Sequence, residues 1–334
     1  MPPRRIHFFM NDDQFGDGLR DIVRESLGDA TGNITSLRRL SGGASRSTWA
    51  FDFSAASPPS QTRRFVLQLH GDVLTESALP APIEARLLRR AHEHGIPVPV
   101  IVADGEEGGP LGVAYFIMEM LEGEVLPRHV LRDPSFGRGL TFLNEQCASA
   151  LARIHAMPTT GLELVDHDLV DEYRKALDDV AQPHPVLEWA YRWLQQHRPT
   201  PHRSTVVHGD FRLGNLMMNS EGLHAVLDWE LAHVGDPYED LAWPLVRAWR
   251  FDHWRPLGVF PERQQWLDAY AAVTNTVIDD EVVRWWEVAT TFKWAVICLT
   301  QWNRHQQGTT RSVELALIGR RVAENEFDLL KLIP

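Results

Sequence analysis

The sequence predicts an α+β protein in two parts, a small antiparallel sheet carrying one helix followed by a larger, mainly helical part. Three observations predict it. Strand-like apolar runs dominate as far as residue 120, helical periodicity takes over from about residue 123, and Leu121-Glu122-Gly123 marks the change. We therefore expect a first lobe over residues 1–121 and a second over 122–334.

In chain order, residues 18–27 read as a short amphipathic helix, and Ile34–Leu40, Thr48–Phe53 and Arg64–Leu69 as strands. The last two strands flank SAASPPSQTR, a polar, proline-containing stretch that reads as a hairpin connection. Pro82 suits a first helical turn, where its missing N–H goes unused, and Ile83, Leu87, Leu88 and Ala91 follow at helical spacing until Gly95. Two further strands flank a glycine-rich turn, the second being Val113–Met120. The helices expected after that are Leu143–Ile154, Leu169–Val180, Val186–Gln196, Arg263–Val273 and Val282–Asn303.

Bulk properties exclude several classes. A chain of 334 residues that is 44% hydrophobic can bury a large core. Its formal net charge of -12 repels a nucleic-acid backbone, so nucleic acid is not an expected partner. Cys147 and Cys298 are the only cysteines and form no CxxC pair, which argues against a disulfide framework or a zinc knuckle and fits a reducing compartment. The opening MPPRRIHFFMNDDQFGDG has no apolar core of a signal peptide, so a cytoplasmic location is expected. The most apolar stretch, Trp285–Leu299, is interrupted by Glu287 and Lys293 and is shorter than the roughly 20 residues of a membrane span. It reads as a buried helix, and no membrane partner is expected.

The segment VVHGDFRLGNLMM, followed by LHAVLDWE, carries the chemistry. Phosphoryl transfer needs a carboxylate to take the acceptor's hydroxyl proton and oxygen ligands to hold Mg²⁺ against phosphates. Asp210 and Asn215 share one short loop and Asp228 ends the next strand-like run, so three oxygen-bearing groups could surround one site. Taken singly, each also reads as an ordinary turn or cap residue.

Together, HGDFRLGN followed by LDW resembles the catalytic loop and metal-binding motif of the aminoglycoside phosphotransferase family, relatives of the protein kinases. The resemblance runs from about residue 34 to residue 250. It implies a two-lobed protein-kinase-like fold, ATP or GTP with Mg²⁺ as phosphoryl donor, and a small-molecule hydroxyl acceptor. Residue by residue, it implies that Asp210 is the base, Asn215 and Asp228 ligate Mg²⁺, and His208 braces the loop. Arg212, between base and metal ligand, is expected to steady the transferring phosphoryl group. GDPYEDLAWPL places Asp240 as a support of the loop and Asp236 as a turn residue. Glu230 and His233, just after the metal aspartate, are expected near the acceptor.

For the nucleotide, LSGGASRSTWAF supplies the glycine-rich cover, Ser41, Gly42, Gly43, Ala44, Ser45 and Arg46, and IMEMLEG supplies Glu119 and Met120 at the adenine hinge. The family places a basic residue on the third strand, paired with a helix glutamate, here Glu84. The corresponding residue is Gln68, a departure that removes a charge-assisted contact. Three readings stay open: Arg46 or Arg64 supplies the charge, the alignment is slipped, or the chain is a pseudokinase acting through a protein partner. HGDFRLGN with DWELAHVGDP is more similar to the kinase-like domains fused to acyl-CoA dehydrogenases than to resistance enzymes. That ranks a hydroxylated metabolite, a hydroxyacyl-CoA among them, above an aminoglycoside; segments 128–138 and 247–255 would offer arginines to an anionic thioester.

Overall fold

The computed structural model describes residues 12–40, 46–55, 62–70, 78–166, 168–200, 203–250, 262–308 and 311–334. The glycine-rich residues Ser41, Gly42, Gly43, Ala44 and Ser45, and residues 251–255, lie outside them. The first part comprises α1 (Asp12–Leu27), β1 (Asn33–Arg39), β2 (Arg46–Ser54), β3 (Thr62–His70), α2 (Ala81–Glu93), β4 (Ile101–Gly105) and β5 (Ala114–Glu119). After it come α3 (Pro127–Arg132), α4 (Gly137–Ala156), α5 (Leu169–Val180) and α6 (Pro185–Gln196). Short strands β6 (Thr205–Val207), β7 (Leu216–Asn219), β8 (Gly222–Val226) and β9 (His233–Gly235) follow. The chain closes with α7 (Tyr238–Ala242), α8 (Arg263–Thr274), α9 (Asp280–Gln306), α10 (Val313–Gly319) and α11 (Val322–Leu332). The α+β architecture expected from the sequence is the one observed.

The first five strands form one antiparallel sheet in the order β1-β2-β3-β5-β4. Strand side chains alternate between faces, so Phe51, Phe53, Phe65, Leu67 and Ile117 meet Leu19 and Val23 of α1 in a small core. Phe116, from the opposite face, joins the main core with Leu87, Leu88 and Ala91 of α2. Pairing of β2 with β3 runs unbroken from Arg46↔His70 to Ser54↔Thr62, and Gln68 sits opposite Phe116 of β5. That register carries Arg46, Gln68 and the buried Glu84 of α2 to one corner.

In the helical part, α9 is buried on nearly all sides, with Val283, Val288, Phe292, Ala295 and Val296 in the core. Asp279 caps it by accepting from the backbone N–H of Glu281 and Val282. It extends a little beyond the expected Val282–Asn303 at both ends. The sequence reading did not anticipate α3, α10 or α11. α3 buries only Val130 and α10 only Leu315, too little for an apolar stripe to show, and α11 docks on α9 through Val322, Asn325 and Leu329. Among the described residues, no helix is long and apolar enough to cross a membrane.

Candidate active site

Strand β6 ends at Val207 and β7 begins at Leu216, leaving an eight-residue loop that carries HGDFRLGN. Gly209 adopts φ +78°, and a Cβ there would lie 2.5 Å from the Leu231 carbonyl oxygen, so only glycine fits. Asp240 anchors this turn from α7: its carboxylate accepts the backbone N–H of His208 at 2.7 Å and of Gly209 at 2.9 Å. The fully buried Asp240 also faces His155 Nε2 at 3.2 Å, and His155 Nδ1 lies 2.7 Å from the Tyr270 hydroxyl. The loop is thereby tied through α7 to α4 and α8.

His208 is fully buried between the rings of Phe211 and Trp229. Asp210 N–H donates to its Nδ1 at 3.2 Å, which leaves the proton on Nε2 to be donated to the Leu227 carbonyl at 3.1 Å. Burial lowers its pKa, which favours the neutral ring in these two hydrogen bonds.

Asp210 is almost buried and heavily hydrogen-bonded. Its Oδ1 accepts from Arg212 Nε at 2.8 Å and from Trp243 Nε1 at 2.6 Å; its Oδ2 accepts from Asn215 Nδ2 at 2.6 Å. Asn215 Nδ2 also donates to the Asp210 carbonyl at 3.0 Å. With its amide nitrogen committed, Asn215 keeps its carbonyl oxygen for another partner. Arg212 lies 4.3 Å from the Trp249 ring centroid, so the carboxylate and the indole fix the guanidinium from two sides.

Asp228 has φ +62°, a left-handed conformation uncommon for a side-chain-bearing residue, two positions after the end of β8. Its low-dielectric surroundings, with Glu230 and Asp210 nearby, push its pKa up to about 7 against the pull of Arg46. Asp228 is nonetheless open at the cleft surface, where water screens part of that repulsion. The upward direction follows from carboxylates crowded around too little positive charge.

The corner opposite is held by Arg46, the first residue of β2. Its guanidinium lies 2.9 Å from Glu84 Oε2 and 3.0 Å from Glu230 Oε2, and Nη1 donates to Gln68 Oε1 at 3.2 Å. Burial opposes the charge, but Glu84 and Glu230 outweigh it and raise the Arg46 pKa. Arg64 instead pairs with Glu122 at the exposed surface. The geometry thus favours Arg46 among the readings left open for the missing third-strand cation.

Two cavities adjoin these groups. One, of about 480 Å³, is lined by Arg46, Gln68, Phe116, Met118, Asn215 and Asp228. The other, of about 680 Å³, is lined by Asp210, Arg212, Asp228 and the tryptophans 243, 249 and 294. The expected hinge pair, Glu119 and Met120, lines neither cavity. Glu119 pairs with Arg63 at 2.6 Å, and the Met120 N–H is already donated to the Arg64 carbonyl at 2.9 Å; Met118 and Val125 form the cavity wall. His233 is not at the acceptor side either. It is buried, with Nε2 3.1 Å from Glu239 and Nδ1 2.9 Å from the Leu231 carbonyl, so it braces α7. Of the two arginine-containing segments, 128–138 lines neither cavity, and Arg247 pairs with Asp328.

Sequence reasoning missed the Trp243 hydrogen bond to Asp210 and the tie from Lys293 to the loop. The buried Lys293 of α9 donates to the Gly209 carbonyl at 2.8 Å and to Glu239 at 3.0 Å, and lies 4.6 Å from the Trp243 ring centroid. Burial resists ionisation of Glu239, but Lys293 and His233 outweigh it and hold its pKa at about 2. The available signal was a lysine inside the apolar run of residues 285–299, since a charge buried in a helix core requires a partner.

Among the described residues, no three His, Cys, Asp or Glu side chains close around one point as a preformed metal cage. Asn215 and Asp228, with a free amide oxygen and an open carboxylate on one cavity wall, form a sparse hard-oxygen set. Such a set fits Mg²⁺, which keeps several waters and takes few protein ligands.

The profile of the phosphotransferase enzyme family matches residues 36–286. The chain belongs to this family. Over 281 residues, this phosphotransferase is 27% identical to acyl-CoA dehydrogenase family member 10 of Mus musculus, a match covering 76% of the chain but 25% of that protein's length. A candidate aminoglycoside phosphotransferase from Ralstonia eutropha has the same fold, with a TM-score of 0.71 and 23% identity, over 94% of this chain and 98% of its own. A spectinomycin phosphotransferase solved with ADP and spectinomycin superposes with a TM-score of 0.63 at 11% identity, over 94% of this chain and 98% of its own.

Proposed function

We propose that this phosphotransferase moves the γ-phosphoryl group of ATP or GTP onto a hydroxyl of a small-molecule acceptor, with Asp210 as the base. One observation carries the reading: Asp210 lines one cavity, Asn215 the other and Asp228 both, while an Asn215 hydrogen bond ties the first two together. The sheet-side cavity, walled by Phe116 and Met118 and bounded by Arg46, suits a nucleotide. The tryptophan-lined cavity suits the acceptor. The acceptor hydroxyl donates its hydrogen to the Asp210 carboxylate, which takes the proton as the oxygen attacks the γ-phosphorus. Hydrogen bonds from Trp243, Arg212 and Asn215 hold that carboxylate at one angle to the attacking oxygen. Asn215 and Asp228 would hold Mg²⁺, which supplies charge neutralisation to the phosphates when bound. Three tryptophans offer an apolar face to the body of a hydroxylated acceptor, and Glu172, Asp179 and Glu230 on the same wall offer carboxylates to any amino group it carries.

The test is direct. Mg-ATP or Mg-GTP is expected to raise the melting temperature, and incubation with a panel of hydroxylated metabolites should give one product heavier by a single phosphoryl group in mass spectrometry. Nucleotide-induced stabilisation with neither hydrolysis nor transfer would replace this reading with a nucleotide-binding pseudoenzyme.

The same reading makes Arg46 the substitute for the third-strand cation. Arg46→Gln is expected to weaken nucleotide binding by roughly 10- to 100-fold, following the 1.5–3 kcal/mol worth of a hydrogen bond to a charged group. Adding Gln68→Lys, which returns a cation to the third strand beside Glu84, should recover part of the loss. Isothermal titration of both variants measures it; unchanged affinity in Arg46→Gln removes Arg46 from the nucleotide site.

A further inference from the structure

We propose that Arg304, in the last turn of α9, is the cation that meets the phosphoryl group in flight between donor and acceptor. The inference rests on the phosphotransferase reading above. Four described residues line both cavities: Asp228, Glu230, Gln301 and Arg304. A phosphoryl group leaving the nucleotide side for a hydroxyl on the other must cross the seam they form. Two of the four are carboxylates and one is an amide, so Arg304 is the cation of this set.

The neighbouring guanidiniums are committed elsewhere. Arg46 is held between Glu84 and Glu230, and Arg212 between the Asp210 carboxylate and the Trp249 ring. The Arg304 guanidinium has no ion-pair or hydrogen-bond partner among the described residues. One turn earlier, on the same face of α9, Gln301 Oε1 is buried and also without a hydrogen-bond partner. A buried, unpartnered amide oxygen and a partly exposed guanidinium uncommitted to other protein groups therefore face the seam from one helix. An arginine at a helix C-terminus also complements the helix dipole, so its place on α9 decides nothing by itself. Its place at the junction of both cavities does.

The step balances without a further reactant. The acceptor oxygen forms a bond to the γ-phosphorus, and the bond from that phosphorus to the β–γ bridging oxygen breaks. The electron pair leaves with the nucleoside diphosphate, and the hydroxyl proton passes to the Asp210 carboxylate. In transit, negative charge spreads over three equatorial oxygens, and a planar guanidinium can donate to two of them at once. Lysine offers the charge without that fork.

Purified Arg304→Gln and Arg304→Lys, compared with wild type by circular dichroism for folding, provide the test. Binding of Mg-ADP alone is compared with Mg-ADP plus tetrafluoroaluminate, a mimic of the phosphoryl group in flight, by titration calorimetry. Wild type should bind the fluoroaluminate complex more tightly than ADP. Arg304→Gln should lose that increment while keeping ADP affinity within about twofold, and Arg304→Lys should keep part of it. In parallel, slow hydrolysis of ATP with water as acceptor should fall by roughly 10³-fold in kcat in Arg304→Gln, at unchanged KM for ATP. An increment retained by both variants overturns the proposal, as does an Arg304→Gln whose hydrolysis is normal. If wild type binds neither ADP nor its fluoroaluminate complex, the nucleotide reading itself falls and this inference with it.

Discussion

Asp210→Asn is expected to lower kcat with the acceptor by about 10² to 10⁴, the usual worth of a positioned general base. The replacement is nearly isosteric, so the loss reports on proton transfer more than on shape. An amide cannot take the hydroxyl proton, and its nitrogen would also face a donor, either Asn215 Nδ2 or the pair Arg212 Nε and Trp243 Nε1. Because Asp210 lines the tryptophan-walled cavity and not the sheet-side cavity proposed for the nucleotide, nucleotide affinity should stay nearly unchanged. Steady-state kinetics with titration calorimetry separates the two effects. Wild-type turnover in Asp210→Asn would remove the residue from its role.

Lys293→Met should cost about 3–5 kcal/mol of stability, the range for breaking a buried ion pair from one side. The deletion leaves the Glu239 carboxylate, 1% exposed, facing only His233, and strips the Gly209 carbonyl of its side-chain donor. Turnover should fall as well, because Gly209 sets the height of the loop that carries Asp210. Pairing the change with Glu239→Gln removes the uncompensated charge, so the double variant should be more stable than Lys293→Met alone. Urea denaturation of the four proteins completes the cycle. A loss below 1 kcal/mol in the single variant would show that Glu239 finds its counter-charge elsewhere.

These two residues mark where the sequence was legible and where it was not. Asp210 and Asn215 lie five positions apart on one loop, so their meeting is a local fact that spacing can express. The strands of the first sheet and the long helix α9 were likewise visible, because burial on one face or on all faces leaves a periodic trace. Lys293 reaches Gly209 across 84 positions, and Arg46 reaches Glu84 across 38; such pairs exist only once the topology has brought their elements together. His233 was misplaced for a related reason. Proximity in sequence to Asp228 suggested the cleft, but pairing of β9 with β6 and the contact with Glu239 turn its ring into α7. Glu119 and Met120 are absent from the sheet-side wall, to which β5 contributes Phe116 and Met118.

The position of Arg46 also governs how this protein can be recombined with its relatives. Its charge sits at the opening residue of β2 and is answered from α2 and from Glu230, three separate stretches of chain. A chimera that imports only the start of β2 from a protein lacking this arginine would strand the buried Glu84 carboxylate. One that imports only a third strand bearing lysine would crowd two cations onto it. These pieces are exchangeable as a set and incompatible one at a time.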